Sequence, residues 1–267
     1  MICFPNAKIN IGLTITDRRA DGYHNLESVF YPIRLHDALE VIESYELSFT
    51  SSGLTIPGNA DSNLCVKAYH LLAADFSLPP VHIHLHKHVP IGAGLGGGSA
   101  DAAFFLKLMN DKFELGLAVE QLETYASRLG ADCPFFINNK PAFATGIGNQ
   151  LQEISLDLSA YYLVLVTPDV HISTAEAYRG IKPATPVYSL LESIQKPVSE
   201  WKNFISNDFE KHVFETYPQI RALKSSLYEA GALYATMTGS GSSVVGIFEK
   251  PVVLPALEKE AQVFYGV

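Results

Sequence analysis

Residues 90–102, PIGAGLGGGSADA, constrain this chain more than any other stretch. Five glycines fall within the seven residues 92–98. A β-branched, apolar run at 81–89 leads in, and an Ala- and Leu-rich run at 100–109 leads out. The pattern predicts strand, glycine loop and helix, with the helix opening near Ser99. Glycine admits positive φ and lets a ligand come against bare amides. The first N–H groups of the helix lack partners and its dipole favours an anion, so a phosphate is the natural occupant. The P-loop is excluded, because no Lys follows the glycines. Gly92, Gly94 and Gly97 fit the dinucleotide fingerprint by letter, but Glu114 and Glu120 do not follow a clean second strand. An ordinary turn is the competing reading, and turns rarely need five glycines.

The rest of the chain reads as alternating strands and helices. At 8–15, Ile9, Ile11, Leu13 and Ile15 alternate with Lys8, Asn10, Gly12 and Thr14. Alone, this is a half-buried strand whose polar side is a solvated edge. Asp21-Gly22 marks a turn, followed by Tyr23, His24 and a strand at 25–33; these aromatics can stack on a flat base or pack a hairpin. Strands follow at 38–43 and 46–50. Asp61-Ser62-Asn63 caps a helix at 64–75. His82, His84, His86 and His88 share one face of the next strand. Alternate His can chelate zinc, but a polar face beside water is the favoured reading.

A helix is expected at 119–129. Asp132 then stands before an apolar, strand-like run as a turn cap or a functional acid. A strand at 142–145 enters a glycine turn, and a polar stretch marks a domain boundary near 155. A buried strand at 161–168, a helix capped at Ser173, an irregular segment at 181–200 and helices at 208–216 and 220–230 follow. Strands at 234–237 and 244–248 flank TGSGSS.

Composition narrows the function. The chain has 267 residues, 48% of them hydrophobic, a net charge of -9 and no Lys/Arg run. Nucleic acid is therefore not an expected partner. No apolar segment approaches the length of a membrane span, so no membrane partner is expected. The start lacks a leader pattern. Three scattered cysteines read as reduced thiols, which suits the cytoplasm.

PNAKIN, PIGAGLGGGSADA and TGSGSSVVGIF together resemble the GHMP kinase superfamily. RRADGYHNLESVFYPI, LGADCPFFI, STAEAY, NDFE and YPQIRALKSSLYEAGALYATMTGSGSS resemble the branch that phosphorylates 4-diphosphocytidyl-2-C-methyl-D-erythritol. The chain departs from that branch at Ile147 and Asn149, where a basic and an acidic residue are expected.

The resemblance implies an α+β fold of two domains. Residues 1–155 would form a mixed-sheet N-terminal domain of the ribosomal S5 domain 2-like type, carrying the ATP loop. Residues 156–267 would form a ferredoxin-like C-terminal domain, with the active site in the cleft between the two. It also implies ATP as co-substrate with Mg²⁺, and a small-molecule substrate bound by a monomer or weak homodimer.

By the same resemblance, Lys8 and Asp132 are catalytic. Asn63, Lys87, Pro90, Ile91, Gly92, Ala93, Gly94, Leu95, Gly96, Gly97, Gly98, Ser99 and Ala100 bind ATP. Asn10, Tyr23, His24, Tyr31, Tyr178, Gly239 and Gly241 bind the substrate. Asp101 stays open, since an acid in the first turn of a helix favours the dipole without any ligand. Two alternatives remain: a sister kinase acting on mevalonate or homoserine, which gives no reason for Tyr23-His24, and a non-catalytic member, which gives none for keeping both Lys8 and Asp132.

Overall fold

The computed structural model describes residues 1–267. In chain order the first half runs β1 (Ile2–Cys3), β2 (Asn6–Arg18), β3 (His24–His36), β4 (Ala38–Glu43), β5 (Ser48–Gly53), α1 (Leu64–Ala73), β6 (Val81–Lys87), α2 (Gly97–Lys112), α3 (Val119–Ser127) and α4 (Phe135–Asn138). The second half runs β7 (Ala142–Thr145), β8 (Gln150–Glu153), β9 (Tyr162–Pro168), α5 (Thr174–Tyr178), α6 (Leu190–Ser193), α7 (Phe209–Thr216), α8 (Pro218–Glu229), β10 (Tyr234–Met237), β11 (Val244–Phe248) and β12 (Ala261–Tyr265). Two units emerge, and their segments interleave. The first holds Met1–Ala7, Leu35–Ile91 and Gly96–Lys140; the second holds Lys8–Arg34, Gly92–Leu95 and Pro141–Val267.

The first unit is a mixed sheet ordered β1-β4-β6-β5, with β5 parallel to β6 and the other pairs antiparallel. Register puts Leu39 opposite Leu85 and Val41 opposite Ile83, and all four are buried. Helix α2 packs on α1, α3 and α4 and against β1 and β4. The other sheet face carries the histidines. There the hydroxyls of Ser48, Thr50 and Ser52 alternate with the rings of His82, His84 and His86 in a hydrogen-bonded ladder of 2.8–3.1 Å steps. Both ring nitrogens of His82 and His84 and Nδ1 of His86 are engaged across the strand pair, as on a polar sheet face.

The second unit has two sheets. One is ordered β2-β3-β7-β8. The other is ordered β10-β11-β9-β12 and is wholly antiparallel. That order matches the expected ferredoxin-like half. Its second crossover helix is reduced to a 3₁₀ turn at Leu257–Lys259. Leu13, Ile15, Val164, Val166, Phe209, Val213, Leu223 and Leu227 share its core.

Several expectations change. The polar side of β2 is no solvated edge: residues 6–13 are buried on both faces, with Lys8 over Phe30, Asn10 bonded to Ser28, and Gly12 facing Leu190 and Ile205. The strand-like FFIN is a helical turn, since Pro134 begins the turn and Asn139 ends it in the left-handed region. The polar stretch after 149 contains β8, paired to β7, and the C-terminus adds β12.

Candidate active site

The glycine loop leaves β6 and enters α2 as expected, with the helix starting at Gly97 rather than Ser99. Gly96 is its N-cap, at φ 68° and ψ 14°, a left-handed conformation that glycine takes at no steric cost. Ala100 makes the first helical bond, to Gly96 O at 2.9 Å. The N–H groups of Gly97, Gly98 and Ser99 therefore have no acceptor within the helix, the standard anion site of a helix start.

In the same unit, Asn63 caps α1, its side chain accepting from the Cys65 N–H at 2.9 Å. Lys87 is not a free cation at the loop. It is 4% exposed, and its Nζ donates to Asp37 Oδ2 at 2.5 Å and Asp101 Oδ2 at 2.7 Å. Burial alone would lower its pKa, but the two carboxylates outweigh that and raise it. Asp101, left open above, is thus a buried ion-pair partner. Burial pushes its carboxyl up to about 7, Lys87 pulls the other way, and Asp37 adds to the rise. Asp132 is half-buried in the turn ahead of α4. Its neighbour Cys133 has its thiol pushed up to about 11 by burial, so it stays a thiol.

The second unit holds Lys8 on β2, 4% exposed. Its backbone N–H donates to Leu95 O at 2.9 Å, within the central segment of the loop. Its Nζ donates to Asn10 Oδ1 at 2.5 Å and lies 4.6 Å from the centroid of the Phe30 ring. Asn10 is 2% exposed; its Nδ2 donates to Ser28 Oγ at 2.8 Å, and Ser28 Oγ donates to Gly12 O at 2.7 Å. Asn10 therefore orients Lys8.

Thr238 was not singled out by the sequence, yet it joins three segments. Its Oγ1 accepts from the Asn10 N–H at 2.9 Å and donates to Gly94 O at 3.1 Å. A Cβ on Gly94 would stand 2.1 Å from Thr238 O, so only glycine fits. Gly239 packs against Gly94 in return, and the Ser243 N–H reaches Ala93 O at 3.3 Å. The second glycine turn, which carries Gly241, thus buttresses the first. NDFE supports that turn from behind. Asn207 Nδ2 donates to Met237 O and Gly239 O at 2.8 and 2.9 Å, and Glu210 Oε1 accepts from the Met237 N–H at 2.9 Å. A short polar motif with no reactive group of its own gave no sign of this in the sequence.

The aromatic set is partly assembled. His24 and Tyr178 stack, centroids 4.9 Å apart at 25°. Tyr178 also meets Phe209 edge-on at 4.8 Å. Tyr23 is 63% exposed, beside a turn held by the Arg19–Asp21 ion pair. Tyr31 is half-buried and its hydroxyl accepts from the Leu158 N–H at 3.1 Å, which makes it a structural brace. Lys8 and Asp132 belong to different units.

The loop and the two sheet systems define a class. Residues 63–140 match the GHMP kinases N terminal domain family and residues 190–262 the GHMP kinases C terminal family. A 4-diphosphocytidyl-2-C-methyl-D-erythritol kinase of Bacteroides fragilis is 58% identical over 265 residues, 98% of this chain and 97% of its own. One of Bacteroides thetaiotaomicron is 54% identical over 99% and 98%. A crystal structure of 4-(cytidine 5'-diphospho)-2C-methyl-D-erythritol kinase superposes with a TM-score of 0.83 at 31% identity, covering 100% of this chain and 98% of that one. A mevalonate kinase shares the fold, with a TM-score of 0.73 at 13% identity over 99% and 98%. The chain belongs to the 4-diphosphocytidyl-2-C-methyl-D-erythritol kinase family.

Proposed function

We propose that this chain transfers the γ-phosphoryl of ATP to the 2-hydroxyl of 4-diphosphocytidyl-2-C-methyl-D-erythritol, a step of isoprenoid precursor synthesis that does not pass through mevalonate. The observation that carries this is 58% identity to a kinase of that name over nearly the full length of both chains. The sister-kinase alternative loses ground, since the mevalonate kinase shares the fold at only 13% identity.

The bond formed joins the substrate oxygen to the γ-phosphorus, and the bond broken releases ADP. The hydroxyl is tertiary and neutral, so its proton needs an acceptor as the bond forms. Asp132 is that base in our reading. Lys8, aimed by Asn10 and seated over Phe30, keeps positive charge where negative charge gathers. The loop N–H groups at Gly97, Gly98 and Ser99 cradle phosphate oxygens. Tyr23, Tyr31 and the His24–Tyr178 stack hold the cytosine.

Mg²⁺ is proposed to arrive on the ATP phosphates, where it offsets their charge. The divisions 1–155 and 156–267 are proposed as the two family domains; the family matches at 63–140 and 190–262 fall on either side of the cut. We also propose a cytoplasmic location and a monomer or weak homodimer.

Incubation with ATP and the cytidylyl substrate, read by mass spectrometry and ³¹P NMR, tests the assignment. The expected product gains one phosphoryl group on the 2-hydroxyl, with ADP in equal amount. ATP hydrolysis without that product contradicts it.

A further inference from the structure

Three buried ionisable groups lie at the base of the glycine loop, and the reaction as described uses none of them. Asp37 is the single residue linking β3 to β4, and its own N–H is held by Pro5 O at 2.8 Å. Its carboxylate faces the end of β6. Oδ1 accepts from the N–H groups of His88 at 2.6 Å and Val89 at 2.8 Å, and Oδ2 accepts from Lys87 Nζ. The same Nζ donates to Asp101 in the second turn of α2. One lysine and two carboxylates therefore tie the strand entering the loop to the helix leaving it. Gly97 sits directly above: a Cβ there would stand 3.0 Å from Val89 Cγ1 and 3.1 Å from Lys87 Nζ.

Joining a strand to a helix does not require charge. Apolar side chains of the same volume would do it without the desolvation of three ionic groups. They would not supply direction, however. A carboxylate gripping two successive N–H groups fixes the angle at which the backbone turns into Pro90. The ammonium then sets the height of the first helical turn through Asp101. Phosphate recognition by backbone amides depends on just these angles, because a bare N–H cannot adjust as a side chain can. Asp101 Oδ1 is buried without a hydrogen-bond partner, a cost that packing alone would not retain.

We infer that Asp37, Lys87 and Asp101 form a clasp that positions the glycine loop for the ATP phosphates, with Asp37 acting through Lys87 and Val89 as a positioning residue. The inference rests on the kinase reading above.

Calorimetric titration of ATP into the wild type, Asp37→Asn and Asp101→Asn reads the loop whether or not turnover follows. Asp37→Asn keeps the size of the side chain but turns an amide donor toward the ammonium. Its ATP affinity is expected to fall ~10- to 100-fold, the usual consequence of a displaced binding group. Its kcat at saturating ATP and its KM for the cytidylyl substrate are expected to stay within about threefold, the mark of a lost ATP-binding interaction rather than lost chemistry. Asp101→Asn is expected to weaken ATP by a smaller factor; it carries the test if Asp37→Asn shows no cooperative melt.

Unchanged ATP affinity in folded variants overturns the inference. So does a fall in apparent kcat and in binding stoichiometry with ATP affinity and substrate KM unchanged, which would mean only that less protein is native. A wild type that binds ATP but makes no phosphorylated product overturns the kinase reading instead, and the clasp is then judged on affinity alone.

Discussion

Asp132 and Asp101 are both carboxylates of the first unit, and their surroundings give them different behaviour. Asp132 is half-buried in a turn and is the proposed base. Asp132→Asn is expected to lower kcat by ~10² to 10⁴ while ATP still binds, the usual loss when a general base is removed. Near wild-type kcat in a steady-state assay would remove it from the mechanism. Asp101 is buried, and burial above all pushes its carboxyl up to about 7 from an ordinary 3.8. The folded state therefore favours its protonated form. The stability it contributes is fully present below pH ~4 and is lost as pH rises through about 7. Asp101→Asn is neutral throughout. Relative to that variant, the wild type is expected to lose stability between pH ~4 and 8, by on the order of a few kcal/mol, in urea titrations. Parallel stability curves for the two proteins would contradict this. The sequence offered Asp101 only as a dipole-favouring acid; that it pairs with Lys87 depends on a contact between β6 and α2 that no local pattern records.

The glycine loop is the element whose chemistry was most legible, because five glycines between an apolar strand and an Ala-rich helix admit few uses. What stayed hidden was which glycine does what. Gly94 is required by Thr238, and a Cβ on Gly97 would press on Lys87 and Val89, whereas a Cβ on Gly98 would meet nothing nearer than Leu64 Cδ1 at 3.9 Å. Gly98 is exposed in the first turn of α2. Gly98→Ala is therefore expected to keep or raise thermal stability, by up to ~1 kcal/mol from helix propensity. If phosphate comes against the bare backbone there, ATP affinity should still drop, by ~10-fold or more through lost approach. Unchanged ATP affinity by calorimetry would show that the phosphates do not approach the backbone at Gly98. β2 shows why other elements were less legible. Its period-2 pattern marks a strand, but that pattern is the same whether the polar side meets water or, as here, Ser28, Phe30 and Leu190. FFIN has strand-like composition and is bent into a helical turn by its flanking Pro134 and Asn139.

At the scale of the whole molecule, separated motifs carried the family resemblance, while the interleaving of the two units has no local signal, because it depends on which strands β2 and β3 pair with. The proposed function needs two nucleotides with separate holders, the glycine loop for ATP and the aromatic set around Tyr23 for cytidine. Tyr23→Ala is expected to weaken the cytidylyl substrate by ~1–3 kcal/mol, the size of one base stack on an aromatic ring, and to leave the KM for ATP nearly unchanged. A rise in ATP KM instead would move the aromatic turn to the adenine side. Remote binding energy from the cytosine is used to position the reacting hydroxyl, so truncating the substrate should depress kcat as well as raise KM. The most direct measurement is kcat/KM for the cytidylyl substrate beside methylerythritol 4-phosphate, mevalonate and homoserine under one set of conditions. A preference for the cytidylyl compound of at least ~10² over each of the others is expected. Phosphorylation of mevalonate or homoserine at a comparable rate would contradict it.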